Sequence, residues 1–136
     1  MTRPALLVTD THPLIWYITA PSKLPAKVKK AFDAAVEGRS AVFIPAVVLW
    51  EMSLLLKAGQ IRLAAPLNEY VREHFFSNAI SIIEIETGDI LRAHALSFSR
   101  DPFDALIVAM TLRVDCPLIT GDGLLHKHKP CDLFWD

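Results

Sequence analysis

Residues 100–110 read R-D-P-F-D-A-L-I-V-A-M. Pro102 cannot stand inside a helix but suits its first position, and Asp101 before it is a good N-cap. The spacing predicts a helix over 102–114. It is apolar almost all the way round, which places it in a core rather than on a surface. Asp104 falls in its first turn, and the positions where a helical cation would pair with it hold Ile107 and Val108. A carboxylate there has two readings. In one, Asp101 and Asp104 form a variant capping box and complement the helix dipole. In the other, Asp104 serves a cation that the chain does not itself supply.

The rest of the chain bounds the choice. It has 136 residues, 52% hydrophobic and 21% charged, which predicts one globular domain over 1–136 with a sizeable core. The formal net charge is -1, so any grip on nucleic acid must come from a local patch rather than from bulk charge. The apolar start is cut off by Asp10 and does not read as a signal peptide. The longest apolar run, 41–50, contains Pro45 and falls well short of the roughly 18 residues of a membrane span. Cys116 and Cys131 make no disulfide framework, so the expectation is a cytoplasmic chain with reduced thiols and no membrane contact.

Short apolar runs at 5–9, 41–44, 80–85 and 117–120 have the pattern of strands buried on both faces, with a possible fifth at 132–135. Helical spacing lies between them, over 13–18, 26–36, 47–58, 66–77 and 88–98 in addition to 102–114. In 26–36 the apolar face is read as Val28, Phe32 and Val36, and Gly38 and Gly59 close two of the helices. Strands alternating with helices predict an α/β fold, a parallel sheet of four to five strands with helices on both faces.

In such sheets sites form at the carboxyl ends of the strands, near a switch in strand order. Asp10 follows the first strand and Asp122 the fourth. Glu51 sits early in the helix after the second strand, with no basic residue three or four places on. Asp104 opens the helix that leads back to the start of the fourth strand. Four acids without local partners thus converge on one rim. Packed together they repel one another, and a hard divalent cation removes the conflict. Mg²⁺ or Mn²⁺ takes oxygen ligands and keeps open positions for phosphate oxygens and a nucleophilic water. The chemistry implied is metal-assisted phosphodiester hydrolysis.

Four segments carry a resemblance: L-L-V-T-D-T-H-P-L-I-W at 6–16, I-P-A-V-V-L-W-E at 44–51, R-D-P-F-D-A-L-I-V-A-M at 100–110 and P-L-I-T-G-D at 117–122. In order and spacing, over nearly the whole chain, they resemble the PIN-domain ribonucleases, and more narrowly the VapC-type toxins of bacterial toxin–antitoxin pairs. The resemblance implies a Mg²⁺- or Mn²⁺-dependent endoribonuclease with strand order 3-2-1-4-5. The family's acids match Asp10, Glu51, Asp104 and Asp122. Asp10, Asp104 and Asp122 would hold the metal, and Glu51 would hold it or orient its water. Thr11, Thr120 and Asp101 match supporting positions, Asp101 mainly as an N-cap. The implied partners are RNA, a small VapB-like antitoxin that covers the site, and a second copy in a homodimer. The apolar segments 50–56 and 67–76 are candidates for those protein surfaces. Ala105 departs from the pattern, standing where many relatives carry arginine, and Gly121 and Gly123 imply a pliable final loop.

Other readings fit less well. A haloacid-dehalogenase-type phosphotransferase needs a second acid two places after the first, where this chain has His12. A response-regulator receiver needs paired acids by the first strand. His126, His128, Cys116 and Cys131 match no common zinc spacing, and the histidines read instead as solvated loop residues. His12 reads as a packing or hydrogen-bonding residue, and Trp16, Trp50 and Trp135 as core or interface. Lys57, Arg62, Arg72, Arg100, Lys127 and Lys129 are candidates for an RNA-facing patch, with no order in the sequence to group them. The rival that stays open is a binding module of this fold with weak or no nuclease activity, serving a protein or RNA partner.

Overall fold

The computed structural model of the chain describes residues 6–75 and 80–136. Among them, five parallel strands form one sheet: β1 (Leu6–Thr9), β2 (Ala41–Pro45), β3 (Ile80–Ile83), β4 (Leu118–Ile119) and β5 (Leu133–Phe134). Their order is β3-β2-β1-β4-β5, as the resemblance implies. Val8 pairs with Phe43 on one side and with Leu118 on the other, so β1 is central and the strand order reverses between β1 and β4. The helices are α1 (Thr11–Thr19), α2 (Ala26–Val36), α3 (Ala46–Lys57), α4 (Leu67–His74), α5 (Thr87–Ala95), α6 (Pro102–Val114) and α7 (Gly123–His128). They cover both faces of the sheet, which is why Leu7, Val8 and Thr9 in β1, and both residues of β4, are buried in succession.

Helix α6 has the bounds its sequence predicts. Asp101 caps it, its Oδ1 accepting from the N–H of Phe103 at 2.8 Å and of Asp104 at 3.4 Å. Its buried residues, among them Ile107, Val108, Ala109, Met110 and Thr111, run nearly round the helix. The Thr111 hydroxyl is satisfied within the core by donating to the Ile107 carbonyl at 2.7 Å. Gly38 (φ 80°) and Gly59 (φ 71°) take the left-handed conformation just beyond the ends of α2 and α3.

Several elements differ from the expectations. Helix α7 lies where a loop is predicted, started by Asp122, whose Oδ1 accepts from the N–H groups of Leu124 and Leu125. Six residues are too few to show a periodic apolar stripe. His126 is therefore helical rather than a solvated loop residue, and His128 ends the same helix. Val36 is 62% exposed and Ala35 takes the buried place at the end of α2. Counting i, i+4, i+8 overshoots a helix that turns every 3.6 residues. Phe75 is buried, and Leu67, Tyr70 and Val71 pack against the core, so α4 offers less apolar surface than its sequence implies. Ala5 of the first predicted strand, and residues 76–77 of the 66–77 helix, lie outside the described residues. Among the described residues no helix is long and apolar enough to cross a membrane.

Helices α5 and α6 are joined by a polar clamp. Arg113 donates from Nε to Asp89 Oδ1 at 2.9 Å and from an Nη to the Glu84 carbonyl at 2.9 Å, while Asp89 also accepts from the Glu86 N–H. Asp89 is 2% exposed. Burial alone would raise its carboxyl, but the bonds from Arg113 and Glu86 overcome that and hold it below the ordinary range. Arg113→Ala leaves a buried carboxylate without its cation, with an expected loss of about 2–3 kcal/mol in chemical denaturation. An unchanged denaturation midpoint would show the clamp to be dispensable.

Candidate active site

Asp10 terminates β1 and serves as the N-cap of α1. Its carboxylate is held on both oxygens: Oδ1 accepts from the Thr11 N–H at 2.8 Å, and Oδ2 from the Thr120 hydroxyl at 2.7 Å. Thr120 follows β4, so this bond crosses the switch point between the two central strands. The same Thr120 hydroxyl accepts from the Asp122 N–H at 3.1 Å, tying the second acid's backbone to the first acid's side chain. His126 completes the corner, its Nε2–H donating to the Thr120 carbonyl at 2.7 Å. Nothing in the sequence marked His126 for this place, because the link depends on helix α7.

Glu51 reaches the same rim from α3, which begins directly after Pro45, the last residue of β2 and the N-cap of the helix. The Thr11 hydroxyl donates to its Oε1 at 2.5 Å. Asp101 and Asp104 come from the start of α6. The cap bears on the first of their two readings. Asp101's own N–H donates to the Ser99 hydroxyl at 3.0 Å, not to Asp104, so the box is not closed. Among the described residues the Asp104 carboxylate accepts no hydrogen bond. The box is instead formed at α5, by Glu86 and Asp89.

Asp10, Glu51, Asp101, Asp104, Thr120 and Asp122 together line a cavity of about 300 Å³, with His12 and Trp16 in its wall. All four predicted acids and two of the three supporting residues thus meet there, and Thr11 stands behind Glu51. No lysine or arginine lines the cavity, and among the described residues none forms an ion pair with these acids. The electrostatic cost is visible in the carboxyls. Burial pushes Asp104 up to about 7, and Asp101, Asp10, Asp122 and Glu51 all add to the rise. Burial raises Asp10 as well, despite the bonds from Thr120 and Thr11, and it raises Glu51 despite the bond from Thr11.

Two features qualify the expected loop. The backbone at Gly121 is pressed against Trp135, where an added Cβ would come within 2.6 Å of the indole. Gly123 is the first residue of α7. Neither glycine has a positive φ, so close packing and a helix start, rather than pliability, account for them.

The donor set is hard carboxylate oxygen, which fits Mg²⁺ or Mn²⁺ and not a thiophilic metal. Among the described residues no three His, Cys, Asp or Glu side chains are already drawn together at ligand spacing. The acids line one small cavity without closing on a common point, and an ion held there would retain part of its water. A larger cavity of about 550 Å³ lies elsewhere, lined by Cys116, Cys131 and His126. There Lys27 and Lys129 offset most of the charge of Asp115, Asp132 and Asp136, unlike the acid cavity, which has no lysine or arginine in its lining.

Comparison with known proteins bears on the fold. No curated protein is significantly similar in sequence. A chain of the VapBC2 structure from Rickettsia felis, bound to a DNA fragment from their promoter, matches with a TM-score of 0.65 and 14% identity. That match spans 96% of this chain and 99% of the other. A chain of FitAB bound to an IR36 DNA fragment matches with a TM-score of 0.58 and 15% identity, over 94% and 93% of the two chains. At those identities the likeness is one of fold. A family model settles membership: residues 7–129 match the PIN domain, and the chain belongs to the PIN domain family.

Proposed function

We propose that this chain is a metal-dependent endoribonuclease that hydrolyses RNA phosphodiester bonds, acting as the toxin of a type II toxin–antitoxin pair. PIN domains are generally nucleases. The observation that carries the reading is the cavity at the β1–β4 switch point, walled by five carboxylates with no lysine or arginine among them. Asp10, Asp104 and Asp122 are assigned as the residues that hold Mg²⁺ or Mn²⁺, with Glu51 positioning water beside it. When bound, such an ion would neutralise charge on the phosphoryl oxygens and make hydroxide more available than in bulk water. Thr120 fixes the carboxylate plane of Asp10 and the backbone of Asp122, and Thr11 does the same for Glu51. Asp101 shapes the mouth and holds the start of α6 in place.

The VapC-type sequence segments, and a fold shared with the VapBC2 and FitAB structures, support a small antitoxin as partner. The surface of α3 that bears Trp50, 55% exposed, and Leu54, 37% exposed, suits that partner or a second copy of the chain. A cleavage assay tests the central reading. Purified chain is expected to cut single-stranded RNA with Mn²⁺ or Mg²⁺ and to stop on addition of chelator. Cutting that persists in chelator, or its absence at every metal concentration, would leave the binding-module alternative in its place.

A further inference from the structure

Beside the acid cavity lies a second one, of about 460 Å³, and the two share His12 and Trp16. The charge reverses across that shared wall. The second cavity brings Lys23 and Arg62 to the aromatic pair, with no acidic residue in its lining. The His12 and Trp16 rings stand 6.0 Å apart at 56°, and Lys23 Nζ lies 5.9 Å from the Trp16 ring centroid. Trp135 packs on Trp16 at 6.3 Å and is itself seated on Gly121, so the platform is fixed to the same loop that carries Asp122. Among the described residues neither Lys23 nor Arg62 is in an ion pair.

A polyanion does not approach five carboxylates unaided, and a chain of net charge -1 offers no bulk attraction. Unpaired cations beside an aromatic face are how grooves for single-stranded nucleic acid are built, the cations tracking the backbone and the rings stacking bases. Building on the nuclease reading above, we propose that this second cavity is the subsite for the RNA strand flanking the scissile bond. A base lies against the His12–Trp16 pair and the adjoining phosphate is held by Lys23 and Arg62. A basic protein segment in this second cavity would be repelled by those two cations, whereas an RNA strand is drawn in by them.

The test is binding of a mixed-sequence single-stranded RNA of about ten nucleotides to the full chain in chelator, where cleavage is silent, across a range of salt. The double variant K23A/R62A is expected to weaken binding about tenfold and to flatten the slope of log affinity against log salt by about 0.7, the value for one lost phosphate contact. A charge-matched control, K30A/R92A, lines neither cavity and is expected to leave both unchanged. Trp16→Phe, shown folded by its melting curve, is expected to lose the quenching of tryptophan emission that RNA causes in the parent. Parent-like affinity and salt slope in K23A/R62A would overturn the subsite, as would failure of the parent chain to bind the RNA. The two readings fail separately. Absent metal-dependent cleavage with the salt effect intact removes the nuclease and keeps the strand-binding cleft, and intact cleavage with an unchanged slope does the reverse.

Discussion

Asp104→Asn is expected to yield a chain that folds normally and has lost metal-dependent RNA cleavage by at least about a hundredfold, the scale on which one catalytic electrostatic contact is felt. The substitution keeps the shape of the side chain and its place in the first turn of α6, where the cap depends on Asp101 and the backbone N–H of residue 104. No hydrogen bond to the Asp104 carboxylate is broken among the described residues, so no structural partner is stranded. What disappears is one negative charge from a cavity lined by Asp10, Glu51, Asp101 and Asp122 as well. If that charge has only a packing role, its removal relieves repulsion and activity survives. If it holds a cation, activity falls while the metal-free fold is, if anything, firmer. The matching comparison is Asp101→Asn, because asparagine is as good an N-cap as aspartate. Rates from single-turnover cleavage, together with circular dichroism of each variant, separate the cases. Cleavage by Asp104→Asn at the parent rate, with contaminating nuclease excluded, would remove Asp104 from the site.

How far the sequence could carry this is clearest at particular residues. Helix α6 was legible to both ends because Asp101 and Pro102 punctuate its start and its apolar run is long. The gathering of Asp10, Glu51, Asp104 and Asp122 was legible too, since a parallel sheet brings the ends of its strands to one edge whatever the loops do. The strand order was not. Runs such as 80–85 and 117–120 say that strands are buried, not which neighbour each one takes, and the order came from family resemblance. Local bonding was also hidden. Both Asp101–Asp104 and Glu86–Asp89 have the three-residue spacing of a capping box, and only the backbone decides that the second pair closes it. Helix α7 and the His126 bond escaped notice because one short turn carries no period. Lys23 was overlooked as a cation near the site because its proximity to Trp16 arises from the turn after α1, not from any pattern in the chain.

Without metal, the chain is expected to melt several degrees higher at pH 5 than at pH 8, and Mn²⁺ is expected to remove most of that difference. The sign follows from Asp104, whose carboxyl stands at about 7 in the fold against 3.8 for the free side chain. The native state then holds a proton that the unfolded chain has released over the interval between those values, so stability falls as pH rises through it. The group's contribution is complete below about 3.8 and gone above about 7. Asp10 and Glu51 are raised as well and push in the same direction. Asp33 and Asp89 are lowered and act the opposite way, but at the acid end, as pH falls below the ordinary carboxylate range. The metal-free optimum should therefore lie near pH 5. A divalent ion competes with protons for the same oxygens, so its benefit grows with pH. At a hundredfold excess over its dissociation constant it adds about 2.7 kcal/mol, a rise of roughly 10 °C for a domain of this size. In Asp104→Asn both the fall toward pH 8 and the rise with Mn²⁺ should shrink together, because one carboxylate underlies the two effects. Differential scanning calorimetry at pH 5, 6.5 and 8, with chelator and with Mn²⁺, reads all of this directly. A metal-free melting temperature that is level across that range, with no response to Mn²⁺ at pH 8, would mean that the acids are not in conflict and have no ion to share.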